Sequence, residues 1–403
     1  MLDRRAFMAG ALCLPATLGG TLGATLGRPA AARAATGYPP VPAAALQAMI
    51  DTAAADARRR HGARLAVVLG IVNPRGNGQL LFAGGEGLTN PDGRALVLDG
   101  GTPFEIGSIA KVFTASLHYA QHGPFEGALG QWLAPRPMSG PIAAIPLADL
   151  ARYRSGLAQD NHGAPYPPGT MRAFAPLFAY LQGAAPANPP GRCYSYSNLG
   201  WSLLAMAGHG AARGTVEAFA ERYDNALSAF CGGLGMNATG IFRPALRRRL
   251  PQGYRRTWQA LPRAADYAPT GPAGVGSGGI VSTGADMLAF LRDAMGFGDG
   301  GVESRAHAYL QGQAFAAPAC GGGRAPRTAY GWILHDVQDP SQARSGPLTL
   351  VTKDGGVAGF SAWMGFLAWQ GTGAPSPFGV FALSNGPLAP ALGLEAMRRI
   401  LAA

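Results

Sequence analysis

A serine and a lysine three residues apart, Ser108 and Lys111, form the strongest chemical signal in this 403-residue chain. The chain has 33 lysines and arginines, but only Lys111 and Lys353 are lysines. Arginine is a permanent cation, whereas a buried lysine can lose its proton and act as a base. At the start of a helix the two side chains share a face, so Lys111 can activate the Ser108 hydroxyl as a nucleophile. Alone, S-x-x-K is a weak signal, because it occurs by chance in many proteins and a single serine at this position is more often a helix cap.

A second segment, Tyr196-Ser197-Asn198, follows the serine by 88 residues. A phenolate held by the two lysines could carry protons to a leaving group. The amide of Asn198 could orient Lys111 and a substrate amide. Read in isolation, the segment is equally well a loop with a packed tyrosine and an asparagine cap.

A third segment, Lys353-Asp354-Gly355-Gly356, comes directly after a predicted apolar strand. A cation on an edge strand can attract a substrate carboxylate. The two glycines would let a substrate lie against the strand, and Gly356 could give a backbone N–H to an oxyanion. In isolation this segment also fits a hairpin turn, but the three segments in this order are a much stronger signal together.

In that order the motifs resemble those of the penicillin-binding serine hydrolases, which include class C β-lactamases, D,D-carboxypeptidases and related esterases. The family pattern is S-x-x-K, then Y-x-N, then K-T-G or a variant. The similarity extends over roughly residues 45–400 and includes segments 104–107, 150–157, 234–239, 278–283 and 359–361. It implies an α/β (α+β) fold of the β-lactamase/transpeptidase type and a hydrolase that forms an acyl-enzyme.

The resemblance also assigns roles at matching positions. It makes Ser108 the acylated nucleophile and leaves the choice of base open between Lys111 and Tyr196. It implies that substrate is bound by Asn198, Lys353, Asp354 and Gly355, and that the N–H groups of Ser108 and Gly356 form the oxyanion hole.

One position departs from the family pattern. Asp354 stands where penicillin-recognising relatives have Thr or Ser, whose hydroxyl helps to bind a carboxylate. An aspartate there would repel that carboxylate, unless it points away or pairs with an arginine. The resemblance implies an amide or β-lactam substrate, and the departure at Asp354 leaves a carboxylesterase as the alternative. A third alternative is a non-catalytic sensor that binds penicillin or muropeptides.

The elements that must position these residues can be read from hydropathy and turn signals. Helices are predicted over 43–60, 108–121, 147–154, 199–210, 216–229, 284–295 and 389–401. Strands are predicted over 65–72, 80–83, 348–352, 360–369 and 378–383. The order predicts that the terminal segments pair into one antiparallel sheet with flanking terminal helices. An all-helical subdomain, about 129–272, is inserted between them within a single catalytic domain over 35–403.

The first 34 residues are predicted to be an export signal. They contain Arg4-Arg5 of a twin-arginine-like pattern, an apolar stretch and the sequence Ala32-Arg33-Ala34 at the predicted cleavage site. We therefore expect a periplasmic or secreted protein that meets the membrane only through this transient signal. The net charge is +11, and it falls to +8 without the signal, which is compatible with acidic surfaces as partners.

The cysteines and the remaining motifs limit the kinds of site and partner that the sequence predicts. Of four cysteines, Cys13 leaves with the signal, so Cys193, Cys231 and Cys320 can form at most one disulfide. We expect no metal and no cofactor. A G-x-G-x-x-G match at 274–279 lacks the preceding strand that a dinucleotide site needs. No nucleic-acid motif is present, so the expected partner is a small molecule or a peptidoglycan peptide, and the oligomeric state stays open.

Overall fold

The structure is a computed structural model that describes residues 41–160, 163–242, 246, 248–262, 271–337, 348–369 and 378–402. The predicted signal, residues 1–34, lies outside these ranges. Within them, no helix combines the length and the apolar character that a membrane crossing requires.

The described strands form one large and one small antiparallel sheet. The large sheet has the order β2-β1-β10-β9-β8-β7-β6, and the small sheet has the order β3-β5-β4. The first two strands therefore lie beside the last ones, as predicted. The strands are β1 (Ala66–Val72), β2 (Gly78–Gly84), β3 (Pro103–Glu105), β4 (Gly240–Ile241), β5 (Ile280–Thr283), β6 (Arg327–Thr328), β7 (Ile333–Val337), β8 (Leu348–Val357), β9 (Phe360–Trp369) and β10 (Gly379–Ser384).

Two terminal helices cover one face of the large sheet. Every residue of β1 is buried, because alternate side chains enter two different cores. Val67, Leu69 and Ile71 pack with the terminal helices α1 (Ala43–His61) and α12 (Ala389–Ala402). Val68 belongs to the second, larger core between the sheet and the remaining helices. The α/β fold with flanking terminal helices is thus confirmed.

Most of the remaining helices lie in the central part of the chain. They are α2 (Ala110–His122), α3 (Leu129–Leu133), α4 (Gly140–Ala143), α5 (Leu147–Ala151), α6 (Phe174–Gly183), α7 (Asn198–Gly208), α8 (Val216–Gly233), α9 (Val275–Gly278), α10 (Gly284–Arg292) and α11 (Val302–Gly312). The insert over 129–272 is not all-helical, since β4 lies within it and pairs with β5. That two-residue strand is too short to give a period-2 signal in the sequence.

Two element ends differ from the predicted ones near the motifs. α5 ends at Ala151 instead of 154, because Tyr153 takes the left-handed conformation with φ of 59°. β8 does not end at Thr352 but continues to Val357, so the Lys353-Asp354-Gly355-Gly356 segment lies inside the strand. The hairpin-turn alternative for this segment is therefore wrong.

Candidate active site

Ser108 lies in a single 3-10 turn, Gly107–Ile109, that leads directly into α2. The residue that caps α2 is Ile109, and no side chain caps that end. The Ser108 Oγ instead contacts two side chains, the Lys111 amine at 2.9 Å and the Tyr196 hydroxyl at 2.7 Å. The helix-cap alternative for Ser108 is therefore wrong, and its hydroxyl sits between two groups that can exchange protons with it.

Lys111 is fully buried and is held from three directions. Its Nζ lies 2.9 Å from Ser108 Oγ, 2.7 Å from Asn198 Oδ1 and 2.6 Å from the carbonyl oxygen of Ser277. Burial lowers the pKa of Lys111 well below its usual value, and the nearby Lys353 cation lowers it further. A neutral amine has two N–H groups and one lone pair, so it can donate to the two carbonyl oxygens and accept the Ser108 proton.

Tyr196 faces the serine from the opposite side. Its hydroxyl donates to Ser108 Oγ, and burial raises the pKa of Tyr196 far above its usual value, with a further increase from the Asp354 carboxylate. The phenol is therefore held protonated, which differs from the phenolate proposed from the sequence. The Lys111 and Lys353 amines lie 4.8 and 5.7 Å from the centre of the Tyr196 ring. In this arrangement Tyr196 can donate a proton, while Lys111 can accept one.

The Tyr196 ring is stacked on a second tyrosine that the sequence did not single out for chemistry. The ring centroids of Tyr153 and Tyr196 are 5.5 Å apart with an interplanar angle of 21°. The Tyr153 hydroxyl donates to the carbonyl oxygen of Gly331 at 2.7 Å, which fixes the supporting ring. The position of the Tyr196 hydroxyl thus depends on the left-handed turn at Tyr153.

Asp160 is a further site residue that sequence reasoning missed. Its buried carboxylate accepts the backbone N–H groups of Asn198 at 2.6 Å and Leu199 at 2.8 Å, at the start of α7. Asp160 therefore anchors the turn that carries both Tyr196 and Asn198. The local sequence offers a different cap, Ser197, whose Oγ accepts from the Gly200 N–H. No local signal could reveal an aspartate 38 residues away.

The glycine-rich segment at 274–279 has a structural role at the site. It forms the short helix α9, and the carbonyl oxygen of Ser277 accepts the Lys111 amine. The carbonyl oxygen of Gly276 accepts the Thr114 hydroxyl of α2 at 2.7 Å. The segment that matched a dinucleotide pattern thus holds the buried lysine in place.

Lys353 lies in β8 with only 1% of its side chain exposed. Its Nζ donates to the backbone oxygen of Asp354 at 2.5 Å and to the Asp354 carboxylate at 3.0 Å. Asp354 is 67% exposed, and the Lys353 cation holds the pKa of Asp354 below its usual value. Within the part of the chain that the structure describes, the aspartate therefore pairs with the neighbouring lysine and not with an arginine.

The prediction that Lys353 lies on an edge strand is correct only for the second half of β8. β8 lies inside the sheet between β7 and β9. Among the described strands, however, β7 pairs with β8 only up to Thr352, and the rest of β8 pairs with β9 alone. The motif half of β8 therefore presents a free edge to the turn that carries Ser108.

Two glycines let the free edge of β8 approach the turn that carries Ser108 closely. A Cβ on Gly355 would lie 1.9 Å from the carbonyl oxygen of Ile106 and 3.0 Å from the Ser108 nitrogen. A Cβ on Gly107, where φ is 52°, would lie 2.5 Å from the Gly356 nitrogen. The backbone nitrogens of Ser108 and Gly356 are consequently neighbours across this contact. Such a pair of N–H groups can hold an oxyanion that forms beside Ser108 Oγ.

A disulfide joins Cys193 to Cys320 and answers the pairing question that the sequence left open. The strand-like contact beside it pairs the Tyr194 N–H with the Pro318 carbonyl oxygen and the Cys320 N–H with the Tyr194 carbonyl oxygen. The bridge thus fastens the segment around Cys320 to the loop that leads into Tyr196. Cys231 stays a buried thiol, and burial raises its pKa.

The fold and this site define a serine hydrolase with a lysine and a tyrosine beside Ser108. A sequence profile of the beta-lactamase family matches residues 46–403. The chain therefore belongs to the beta-lactamase family, which confirms the resemblance and the enzyme class inferred from the motifs.

Individual relatives agree with this assignment. A beta-lactamase of Providencia stuartii is 29% identical over 196 residues, 47% of this chain and 46% of the relative, so the match spans about half of that protein. The D-alanine carboxypeptidase AmpC of Burkholderia cenocepacia has 22% identity and a TM-score of 0.65, over 89% of this chain and 99% of the other. A class C beta-lactamase of Rhodobacter sphaeroides has 19% identity and a TM-score of 0.64, over 89% and 98%. The two solved structures establish a shared fold.

Proposed function

We propose that this protein hydrolyses an amide or β-lactam carbonyl through an acyl–Ser108 intermediate. The observation that carries the proposal is the placement of Ser108 Oγ between Lys111 Nζ at 2.9 Å and the Tyr196 hydroxyl at 2.7 Å. A serine hydroxyl becomes a nucleophile when an adjacent base takes its proton, and the neutral amine of Lys111 is such a base.

The proposed acylation begins when Ser108 Oγ attacks the carbonyl carbon and its proton passes to Lys111. The N–H groups of Ser108 and Gly356 then stabilise the oxyanion. When the bond to the leaving group breaks, Tyr196 donates its proton to the departing atom, and the Lys111 ammonium returns a proton to Tyr196. Water then attacks the acyl ester while its proton passes to the neutral amine of Lys111, and when the ester bond breaks the proton returns to Ser108 Oγ.

The substrate class rests on the family and on its named relatives. Beta-lactamase and D-alanine carboxypeptidase are the activities in those names. The names of these relatives make β-lactams and cell-wall peptides ending in D-alanine the first substrates to test on this chain. A carboxylesterase is the second candidate, and the specific observation that favours it is the exposed carboxylate of Asp354 beside Lys353.

Export to the periplasm or the medium is part of the same proposal. The twin-arginine-like pattern with its predicted cleavage site supports it. The Cys193–Cys320 bridge supports it independently, because disulfides persist in oxidising compartments and are rare in the cytosol.

The proposal is tested by labelling and turnover in the parent and in Ser108→Ala. A fluorophosphonate reports an activated serine whatever the natural substrate, and a penicillin, a D-alanyl-D-alanine peptide and a p-nitrophenyl ester report turnover. We expect intact mass to show one adduct on Ser108 and at least one carbonyl to be hydrolysed. Ser108→Ala should lose both, whereas Ser228→Ala, an exposed serine of α8, should lose neither.

Two results contradict the proposal in different ways. Hydrolysis retained by Ser108→Ala would exclude this serine as the nucleophile. Binding of penicillin without labelling or turnover, with equal affinity in Ser108→Ala, would instead identify the non-catalytic sensor.

A further inference from the structure

The charge of Lys353 is already compensated by its neighbour in β8. Its Nζ lies 3.0 Å from the Asp354 carboxylate, while only 1% of the Lys353 side chain is exposed. The carboxylate belongs to a side chain that is 67% exposed. A molecule that enters the site therefore meets the anion of this pair and not the cation.

The Lys353 amine lies 5.7 Å from the centre of the Tyr196 ring and 3.0 Å from the Asp354 carboxylate, so this carboxylate lies on the Tyr196 side of Ser108. Among the charged groups that act on Tyr196, Asp354 contributes most to its raised pKa, after the effect of burial. In the proposed reaction Tyr196 gives its proton to the leaving group. The leaving group must therefore pass close to Asp354.

The described charged groups around Ser108 disfavour a further anion beside it. The described ionisable groups that act on Lys111 are Lys353, Asp160 and Asp354. These described groups comprise two carboxylates and one cation, Lys353, which is already paired with Asp354. A leaving group with a carboxylate would add a third anion next to Asp354, and like charges at a recognition site are strongly disfavoured.

We propose that Asp354 makes the leaving-group subsite select neutral or cationic leaving groups and reject those that carry a carboxylate. This inference rests on the proposed acyl-enzyme function and deepens it. Within the proposed function, the favoured substrate is an acyl ester or amide whose departing alcohol or amine is uncharged or bears an ammonium group. β-Lactams and D-alanyl-D-alanine peptides, whose leaving amine carries a carboxylate, are the disfavoured substrates.

The test uses three esters of one N-acyl-D-alanine that differ only in the charge of the alcohol: the glycolate ester, the glycolamide ester and the choline ester. For each ester, kcat/KM is measured with the parent, Asp354→Asn and Asp354→Thr. The choline-to-glycolate ratio, compared between parent and variant, removes the intrinsic reactivity of the esters. We expect this ratio to fall by about tenfold or more in both variants.

A charge-matched control is Asp51→Asn, an exposed position of α1 outside the site, which should leave the ratio unchanged. Two variants are used so that a failure of either one to fold still leaves the comparison intact. An unchanged ratio in both Asp354 variants would overturn the selectivity, even though the esters are hydrolysed. No turnover of any ester, together with no fluorophosphonate adduct on Ser108, would overturn the hydrolase proposal instead.

Discussion

Lys111 owes its proposed chemistry to burial, not to its residue type alone. An exposed lysine is protonated at neutral pH and cannot accept a proton from serine. Here three acceptors surround the amine and burial lowers its pKa well below the usual value. The two lysines of the chain also act on each other, since Lys353 lowers the pKa of Lys111 further.

The base role predicts the effect of Lys111→Arg. The guanidinium is a permanent cation and cannot accept a proton, so acylation should slow by about 10²–10⁴-fold. The rate of adduct formation on Ser108, followed by intact mass, measures the effect. Circular dichroism and the melting temperature establish whether the variant is folded. A folded Lys111→Arg protein that acylates at nearly the parent rate would contradict the base role.

At the scale of elements, the site depends on how closely β8 approaches the turn before α2. The carbonyl of Ile106 and the nitrogen of Ser108 touch Gly355 so closely that no side chain fits. This contact, rather than any side chain, sets the distance between the two N–H groups of the proposed oxyanion hole.

Gly355→Ala should therefore separate β8 from the turn that carries Ser108. The added Cβ would lie 1.9 Å from the Ile106 carbonyl oxygen, so one of the two segments must move. We expect kcat to fall by about 10²-fold or more, as when an oxyanion donor is lost, together with a lower melting temperature. Gly356→Ala serves as the stability control, because its Cβ meets nothing within 4 Å. If Gly355→Ala keeps the kcat and the melting temperature of the parent, the close contact between β8 and this turn is disproved.

The Cys193–Cys320 disulfide links two elements separated by 127 residues in the chain. Because a bridge over a long loop restricts the unfolded chain, its removal should lower the free energy of unfolding by ~2–5 kcal/mol. Urea unfolding of the Cys193→Ala, Cys320→Ala double variant measures this loss. Reductant should lower the free energy of unfolding of the parent by a similar amount and leave that of the double variant unchanged. An equal response of both proteins to reductant would show that the bridge does not form in solution.

At the scale of the whole molecule, two buried histidines connect stability to pH. His118 and His209 each have 5% or less of their surface exposed. Burial lowers the pKa of each to about 3. Among the described residues, neither ring nitrogen of His118 finds a hydrogen-bond partner. These histidines therefore stay neutral in the folded protein, while the unfolded chain protonates them below pH ~6.5.

This difference predicts that the protein loses stability in mild acid. Below pH ~6.5 the unfolded state binds more protons than the folded state, so the free energy of unfolding falls as the pH falls. Above that pH the two histidines do not reduce the free energy of unfolding. Below it, the loss in the free energy of unfolding approaches ~1.4 kcal/mol per pH unit for each histidine. Urea unfolding between pH 8 and pH 5 measures the slope. His118→Phe should make the slope shallower, and His61→Asn, at an exposed position, should not. Identical slopes in all three proteins would rule out His118 as a source.

Much of the architecture followed from local patterns in the sequence. Continuous runs of apolar residues predicted β1, β9 and β10, and helical spacing predicted α1, α8 and α12. Ser108 and Lys111 could be paired because a three-residue spacing determines which side chains share a helical face. The order of the three motifs then indicated the family, which the profile match confirms.

Tertiary structure alone decided which distant groups complete the site. Asp160 reaches Asn198 at the start of α7 across 38 residues, the Ser277 carbonyl reaches Lys111 across 166, and the bridge selects Cys320 over Cys231 as the partner of Cys193. The burial that lowers the pKa of Lys111 and the pairing of Lys353 with Asp354 also depend on packing. A sequence pattern reports neighbours within a turn or a strand, whereas desolvation and long-range contacts exist only once separate elements pack together.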